Sequence, residues 1–125
     1  MNYPYYHPQS IKKVTKALIT GKVNYWTGKE TIKFEKEFSK YVKNKYSIAV
    51  SNGSVALEIA LRSLNLKKND KVIVTPRSFV ISASCVLNLG LTPIFADVND
   101  EGNLDIENIK KVFDKDVKAI IIVHL

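Results

Sequence analysis

Hydrophobic positions recur twice at helical spacing in the first third of the chain, and afterwards β-branched runs alternate with apolar helical blocks. Ile11, Val14, Ala17 and Leu18 share one face of a predicted helix that Ser10 can cap and that Gly21, suited to a left-handed end, stops. A polar and aromatic loop follows over 22–28. Within it Thr27-Gly28-Lys29-Glu30 fits a capping box, which opens a second helix to about Val42. Asn44 and Lys45 break that pattern ahead of a predicted strand, 46–50. Helix 54–64 is apolar nearly all round, which predicts burial on more than one side. Strand 71–75, a second buried helix over 79–89 ending at Gly90, strand 93–96, a helix capped by Asp105 through Phe113 and an apolar strand 117–123 complete the pattern. Strands alternating with helices predict an α/β fold, a mostly parallel sheet with helices on both faces.

In such sheets ligands sit beyond the carboxyl ends of the strands. The connections gathered there are 51–54, 75–79 and the segment from Asp97 onward. The first is the most informative. The apolar run Ile48-Ala49-Val50 stops at Ser51-Asn52-Gly53-Ser54 and turns into Val55-Ala56-Leu57-Glu58-Ile59-Ala60-Leu61. A helix start offers unpaired N–H groups and about half a positive charge, so this turn can hold a phosphate. Gly53 permits close approach and Ser54 adds a hydroxyl. The plain alternative is a strand-to-helix connection in which Ser51 or Ser54 caps the helix.

Composition narrows the function classes. The chain has 125 residues, 46% hydrophobic and 25% charged, which suits a globular protein. No apolar stretch approaches the roughly 20 residues that span a bilayer, and the start (Tyr3, Pro4, Tyr5, Tyr6, Pro8) does not read as a secretory signal, so the expected location is cytoplasmic, without a membrane partner. The single cysteine, Cys85, lies in an apolar block and reads as a small hydrophobe. The net charge of +7 comes almost entirely from lysine, since Arg62 and Arg77 are the only arginines. Nucleic-acid readers draw heavily on arginine, and the aromatics 34, 38 and 41 follow helical spacing, so they read as a core stripe with the lysines as a solvated face rather than a nucleic-acid surface.

Familiar catalytic patterns are missing from the sequence. His7 and His124 lack metal-ligand spacing, so no metal site is expected; Ser54 lacks a G-x-S-x-G elbow; and neither G-x-G-x-x-G nor G-x-x-x-x-G-K-[ST] occurs. Asp97 and Asp105 read as loop and cap. The residues by themselves reach an α/β domain with one anion site and an adjacent aromatic, Phe79. A non-catalytic module that binds a phosphorylated ligand fits that reading too.

Thr27-Gly28 followed by Phe34-Glu35-Lys36-Glu37-Phe38, then Ala49-Val50-Ser51-Asn52-Gly53-Ser54-Val55-Ala56-Leu57, resembles the DegT/DnrJ/StrS family of sugar-nucleotide aminotransferases. In the same order follow Asn69-Asp70-Lys71-Val72-Ile73-Val74, Arg77-Ser78-Phe79-Val80, Gly90-Leu91-Thr92-Pro93-Ile94-Phe95-Ala96-Asp97-Val98 and Lys118-Ala119-Ile120-Ile121-Ile122-Val123-His124-Leu125. The resemblance implies the N-terminal part of the large domain of a fold type I transferase that depends on pyridoxal 5'-phosphate (PLP). It implies a helical segment with a substrate-side loop over 1–45 and an incomplete cofactor-binding α/β domain over 46–125. The implied partners are a nucleotide-linked keto sugar, an amino-acid donor and a second subunit.

By the same resemblance Gly53, Ser54 and Val55 cradle the cofactor phosphate, with the N–H of Ser54 or Val55 completing it. Phe79 stacks on the pyridine ring, and Tyr25, Trp26 and Thr27 lie near the sugar. Ser54 stands where the family usually has Thr, which keeps the hydroxyl. The Schiff-base lysine and the carboxylate facing the pyridine nitrogen are expected beyond Leu125, so no catalytic residue is assigned here and the chain alone is expected to be inactive. Some relatives use histidine in place of that lysine and dehydrate sugars, which leaves aminotransferase and dehydrase open.

Overall fold

The structure, a computed structural model, describes residues 3–124. The chain divides into two compact units, 1–49 and 50–125.

The first unit holds α1 (Pro8–Ile19) and α2 (Glu30–Tyr41). Helix α1 starts before the expected cap. Pro8, whose fixed φ suits the first helical position, opens it, and the His7 side chain rather than Ser10 accepts from the Gln9 N–H. The capping box at Thr27 does not form. Asn24 Oδ1 takes the N–H groups of Trp26 and Thr27 and the Thr27 hydroxyl, and Lys29 begins α2 without a side-chain cap. The stripe Phe34, Phe38, Tyr41 is present, with ring centroids 5.7 and 6.3 Å apart, but its members stack on one another at the surface instead of in a core. No residue of α1 or α2 is buried.

Residues 46–50, expected as a strand, form none. A ladder needs a neighbour, and no strand lies alongside among the described residues; the Ala49 N–H is taken instead by Glu35 Oε1 at 2.8 Å.

The second unit contains α3 (Gly53–Ser63), β1 (Lys71–Val74), α4 (Ile81–Asn88), β2 (Thr92–Phe95), α5 (Ile106–Val112) and β3 (Val117–Ile120). The three strands form a parallel sheet in the order β2-β1-β3. Alternation along β1 builds two cores. Val72 and Val74 face Leu61 of α3 and Cys85 and Val86 of α4, while Ile73 faces the other way, with Ala96, Val117 and, from α5, Ile109 and Val112. Helices therefore cover both faces, as predicted. Burial on several sides of α3 and α4 is not observed. Leu61, Cys85 and Val86 are buried, but Ile59, Leu64, Val80 and Leu87 are exposed, because the sheet and the α3–α4 contact cover one side of each helix. The apolar strand expected over 117–123 ends at Ile120, since β1 offers it a partner only as far as Ile73; Ile120, in the edge strand β3, and Ile122, beyond it, are likewise exposed.

Candidate functional site

Because the three strands are parallel, the connections after β1 and β2 leave from the same edge. After β1 the chain runs through Thr75, Pro76, Arg77 and Ser78 to Phe79. Buried Thr75 fixes this turn by accepting the Arg77 N–H on its hydroxyl at 3.2 Å, and the Ser78 and Ser82 hydroxyls pair at 2.8 Å. Phe79 itself is 73% exposed. It is no core residue, and its ring is open to a ligand. After β2, Asp97 accepts the N–H of Val98, and Asp105 caps α5 by accepting from Asn108, so both carboxylates serve the backbone.

At the start of α3 the cap is Asn52. Its Oδ1 accepts the Val55 N–H at 3.0 Å, and neither Ser51 nor Ser54 caps the helix. Three residues within four positions compete for this role, and the asparagine oxygen reaches the third helical N–H. The consequence for anion binding is direct. The Val55 N–H is engaged, whereas the N–H groups of Gly53 and Ser54 and the Ser54 hydroxyl make no hydrogen bond among the described residues. Gly53 is helical, and a Cβ added there would meet nothing within 4 Å. The fold does not require glycine at this position, and its absent side chain leaves bare backbone for a ligand. These donors suit the phosphate of PLP, and the flat apolar face of Phe79 suits its ring. Helices α3 and α4 pack on one another, Leu57 and Leu61 meeting Cys85 and Val86, but no hydrogen bond joins Ser54 to the Phe79 turn.

Tyr25, Trp26 and Thr27 belong to the first unit. Asn24 knots their loop, the Tyr25 and Trp26 rings meet edge to face at 6.0 Å, and Trp26 is almost fully exposed. Gly28 is required by the fold, since a Cβ would lie 2.6 Å from the Lys22 carbonyl oxygen and 2.8 Å from that of Asn24. Thr27 lines a cleft of about 730 Å³ together with Lys13, Lys16, Lys22, Lys29 and Lys33, opposed by the single carboxylate of Glu30. Such a cleft attracts anions.

Elsewhere, Cys85 is fully buried, and burial pushes its thiol pKa up, as expected of a packing residue. Among the described residues no group of three or more His, Cys, Asp or Glu side chains is placed to hold a metal ion, and no helix is long and apolar enough to cross a membrane. The final residue of the last family-like run, Leu125, lies outside the described residues. Sequence reasoning passed over two contacts: the Asn52 cap, signalled only by an asparagine three residues before Val55, and the Lys71–Asp114 ion pair, which no local pattern signals.

The second unit is thus an α/β layer with an anion-receptive helix start and an exposed aromatic beside the carboxyl edge of its sheet. The chain belongs to the DegT/DnrJ/EryC1/StrS aminotransferase family, whose pattern it matches over residues 4–125. It is 42% identical to an aminotransferase from Psychrobacter cryohalolentis, whose solved structure matches 100% of this chain and 32% of that chain with a TM-score of 0.95. The GDP-perosamine synthase of Vibrio cholerae is 35% identical over 99 residues, 78% of this chain and 27% of that protein. A GDP-4-keto-6-deoxymannose-3-dehydratase, solved with a trapped PLP-glutamate geminal diamine, is 27% identical, with a TM-score of 0.82 over 95% of this chain and 33% of that chain. The chain spans about a third or less of the length of these relatives.

Proposed function

We propose that this chain forms the cofactor-anchoring part of a PLP-dependent aminotransferase that moves an amino group from an amino acid such as glutamate to a nucleotide-linked keto sugar, in the biosynthesis of an amino sugar. The observation that carries the reading is the start of α3, where Gly53 N–H, Ser54 N–H and Ser54 Oγ have no hydrogen-bond partner among the described residues. Three donors at the positive end of a helix dipole hold a dianion in a fixed place. Phe79 orients a flat heteroaromatic ring by stacking and excludes water from one face. When bound, PLP supplies the electron sink for amino-group transfer. The lysine-lined cleft beside Thr27 suits an anionic sugar substrate, in line with the GDP-linked sugars named for two of the relatives. Tyr25, Trp26 and Thr27 lie on the substrate side. The working enzyme is a cytoplasmic homodimer, and the lysine and carboxylate that act on the cofactor lie outside residues 1–125, so the 125-residue chain has no transaminase activity by itself. The dehydratase among the matching structures favours one second reading, a PLP-dependent sugar dehydrase of the same family.

Pyridoxamine 5'-phosphate is the suitable probe, because it has no aldehyde to react with the many surface lysines. Wild-type chain is expected to bind it with a rise in melting temperature. Ser54→Ala removes one hydrogen bond to a charged group and is expected to weaken binding by about 10- to 100-fold. Phe79→Ala is expected to weaken binding of the phosphorylated pyridine but not of inorganic phosphate. Unchanged affinity in Ser54→Ala rejects the cradle, and leaves a phosphate module elsewhere or none.

A further inference from the structure

The turns after β1 and β2 leave adjacent strands at one edge of the sheet, and they touch. Gly102, in the second turn, is buried and has a φ of 87°, in the left-handed region that favours glycine. A Cβ there would lie 2.0 Å from Arg77 Nη1, 2.7 Å from Cζ and 3.1 Å from Cδ. The guanidinium and the end of its stem therefore rest on bare backbone, and any side chain at 102 would displace them. The backbone N–H of the same arginine is held by buried Thr75, so the chain is fixed at its root, while the exposed side chain carries the guanidinium over Gly102.

Despite this seat, the Arg77 guanidinium makes no hydrogen bond or ion pair among the described residues. Two polar side chains of the facing loop serve their own backbone instead. Asp97 Oδ1 accepts from Val98, and Asn99 Oδ1 accepts from Glu101 and Asn103. The chain's other arginine, Arg62, is by contrast committed to Glu58 through two hydrogen bonds of 2.9 and 3.2 Å. A guanidinium is always charged and carries five donors in a rigid fork that matches a carboxylate or phosphate.

We propose that Arg77, seated on Gly102, is an oxyanion-binding residue at the carboxyl edge of the sheet, where it receives a carboxylate or phosphate of a small-molecule ligand in the fork of its guanidinium. The site lies two residues before Phe79 and shares no residue with the Gly53–Ser54 cradle, so it stands without the cofactor assignment. The oxyanion belongs either to a phosphate ester or to a carboxylic acid, and both are recognised by the same fork.

The chain contains two arginines, so the Nε–H signals of the ¹⁵N-labelled full chain resolve the question directly. Inorganic phosphate and, separately, glutamate are titrated at constant ionic strength and mildly acidic pH. The Arg77 signal is expected to shift and saturate with at least one of them while the Arg62 signal stays in place. Saturation with phosphate alone identifies a phosphate ester, with glutamate alone a carboxylate, and with both a site for either oxyanion. Arg77→Lys keeps the charge but loses the fork, and Gly102→Ala moves the fork off its seat; each is expected to weaken binding about tenfold. Ser54→Ala is expected to leave the Arg77 response intact, which separates this test from that of the cradle. An Arg77 signal that does not move, signals of both arginines drifting in parallel without saturation, or equal binding by Arg77→Lys would each overturn the proposal.

Discussion

Both units carry hydrophobic patterns, and they put them to different use. In the second, Val72, Ile73 and Val74 are completely buried, because a strand with helices on both faces has cover for odd and even positions alike. In the first, Ile11, Val14 and Leu18 of α1 and Phe34 and Phe38 of α2 keep more than two fifths of their surface exposed. Periodicity marks a face made to be covered. Whether it is covered depends on what the rest of the fold brings to it, and the hydrophobic contribution to stability scales with the area removed from water rather than with the pattern.

The largest test of this contrast compares two truncations. Ile73→Ala removes a fully buried side chain between β1 and α5 and is expected to cost about 2–5 kcal/mol in urea unfolding. Phe34→Ala removes a larger but half-exposed ring, and its stacking on Phe38 is worth only about 0.5–1.5 kcal/mol. Equal losses would break the distinction between the units.

Gly28→Ala probes the one place where the first unit is tightly constrained. Two backbone carbonyls stand within 2.8 Å of the new methyl group, so the 22–28 loop must open, at a cost of about 1–3 kcal/mol. Faster amide exchange at Trp26 and Thr27, which Asn24 now holds, is the expected sign; unchanged exchange would show that the loop yields freely.

Asn52→Ala removes the α3 cap and is expected to cost about 1 kcal/mol, read as a lower melting temperature. It also frees the Val55 N–H, so phosphate binding at the helix start is expected to survive. Loss of that binding would assign the anion site to Asn52 itself.

The smallest effect concerns Lys71 and Asp114, which tie the start of β1 to the loop before β3. Their hydrogen bond raises the Lys71 pKa and lowers that of Asp114, with the charges of the pair acting in the same directions. The carboxylate's share of stability is present above the ordinary aspartate value and is lost as pH falls through the depressed one. The ammonium's share is complete below the ordinary lysine value and is lost as pH rises through the raised one. Asp114→Asn is therefore expected to lower stability slightly near neutrality and to leave it unchanged in strong acid. A loss that persists in acid would point to packing instead of charge.

Much of the fold was legible because each type of element has its own period. The β-branched runs at 71 and 117 could only be strands, and the helix capped by Asp105 forms where the cap predicts. The strand expected at 46–50 failed for a different reason: a strand is a pairing, and local sequence does not carry its neighbour. Caps were misplaced where several capable residues stand together, since Ser51, Asn52 and Ser54 differ only in which oxygen reaches Val55 N–H. The phosphate turn was visible as a pattern, and family resemblance gave it a ligand. Arg77 was invisible as a site, because a lone arginine in a turn has no period and its seat, Gly102, belongs to another loop.

The account turns on which donors at the start of α3 face a ligand, and backbone amide NMR of the chain during titration with pyridoxamine 5'-phosphate reads them individually. The Gly53 and Ser54 N–H signals are expected to move downfield together and saturate, while the Val55 signal, held by Asn52, moves little. Saturating shifts at Val55 or elsewhere, with Gly53 and Ser54 unmoved, would contradict the assignment of this helix start as the phosphate anchor.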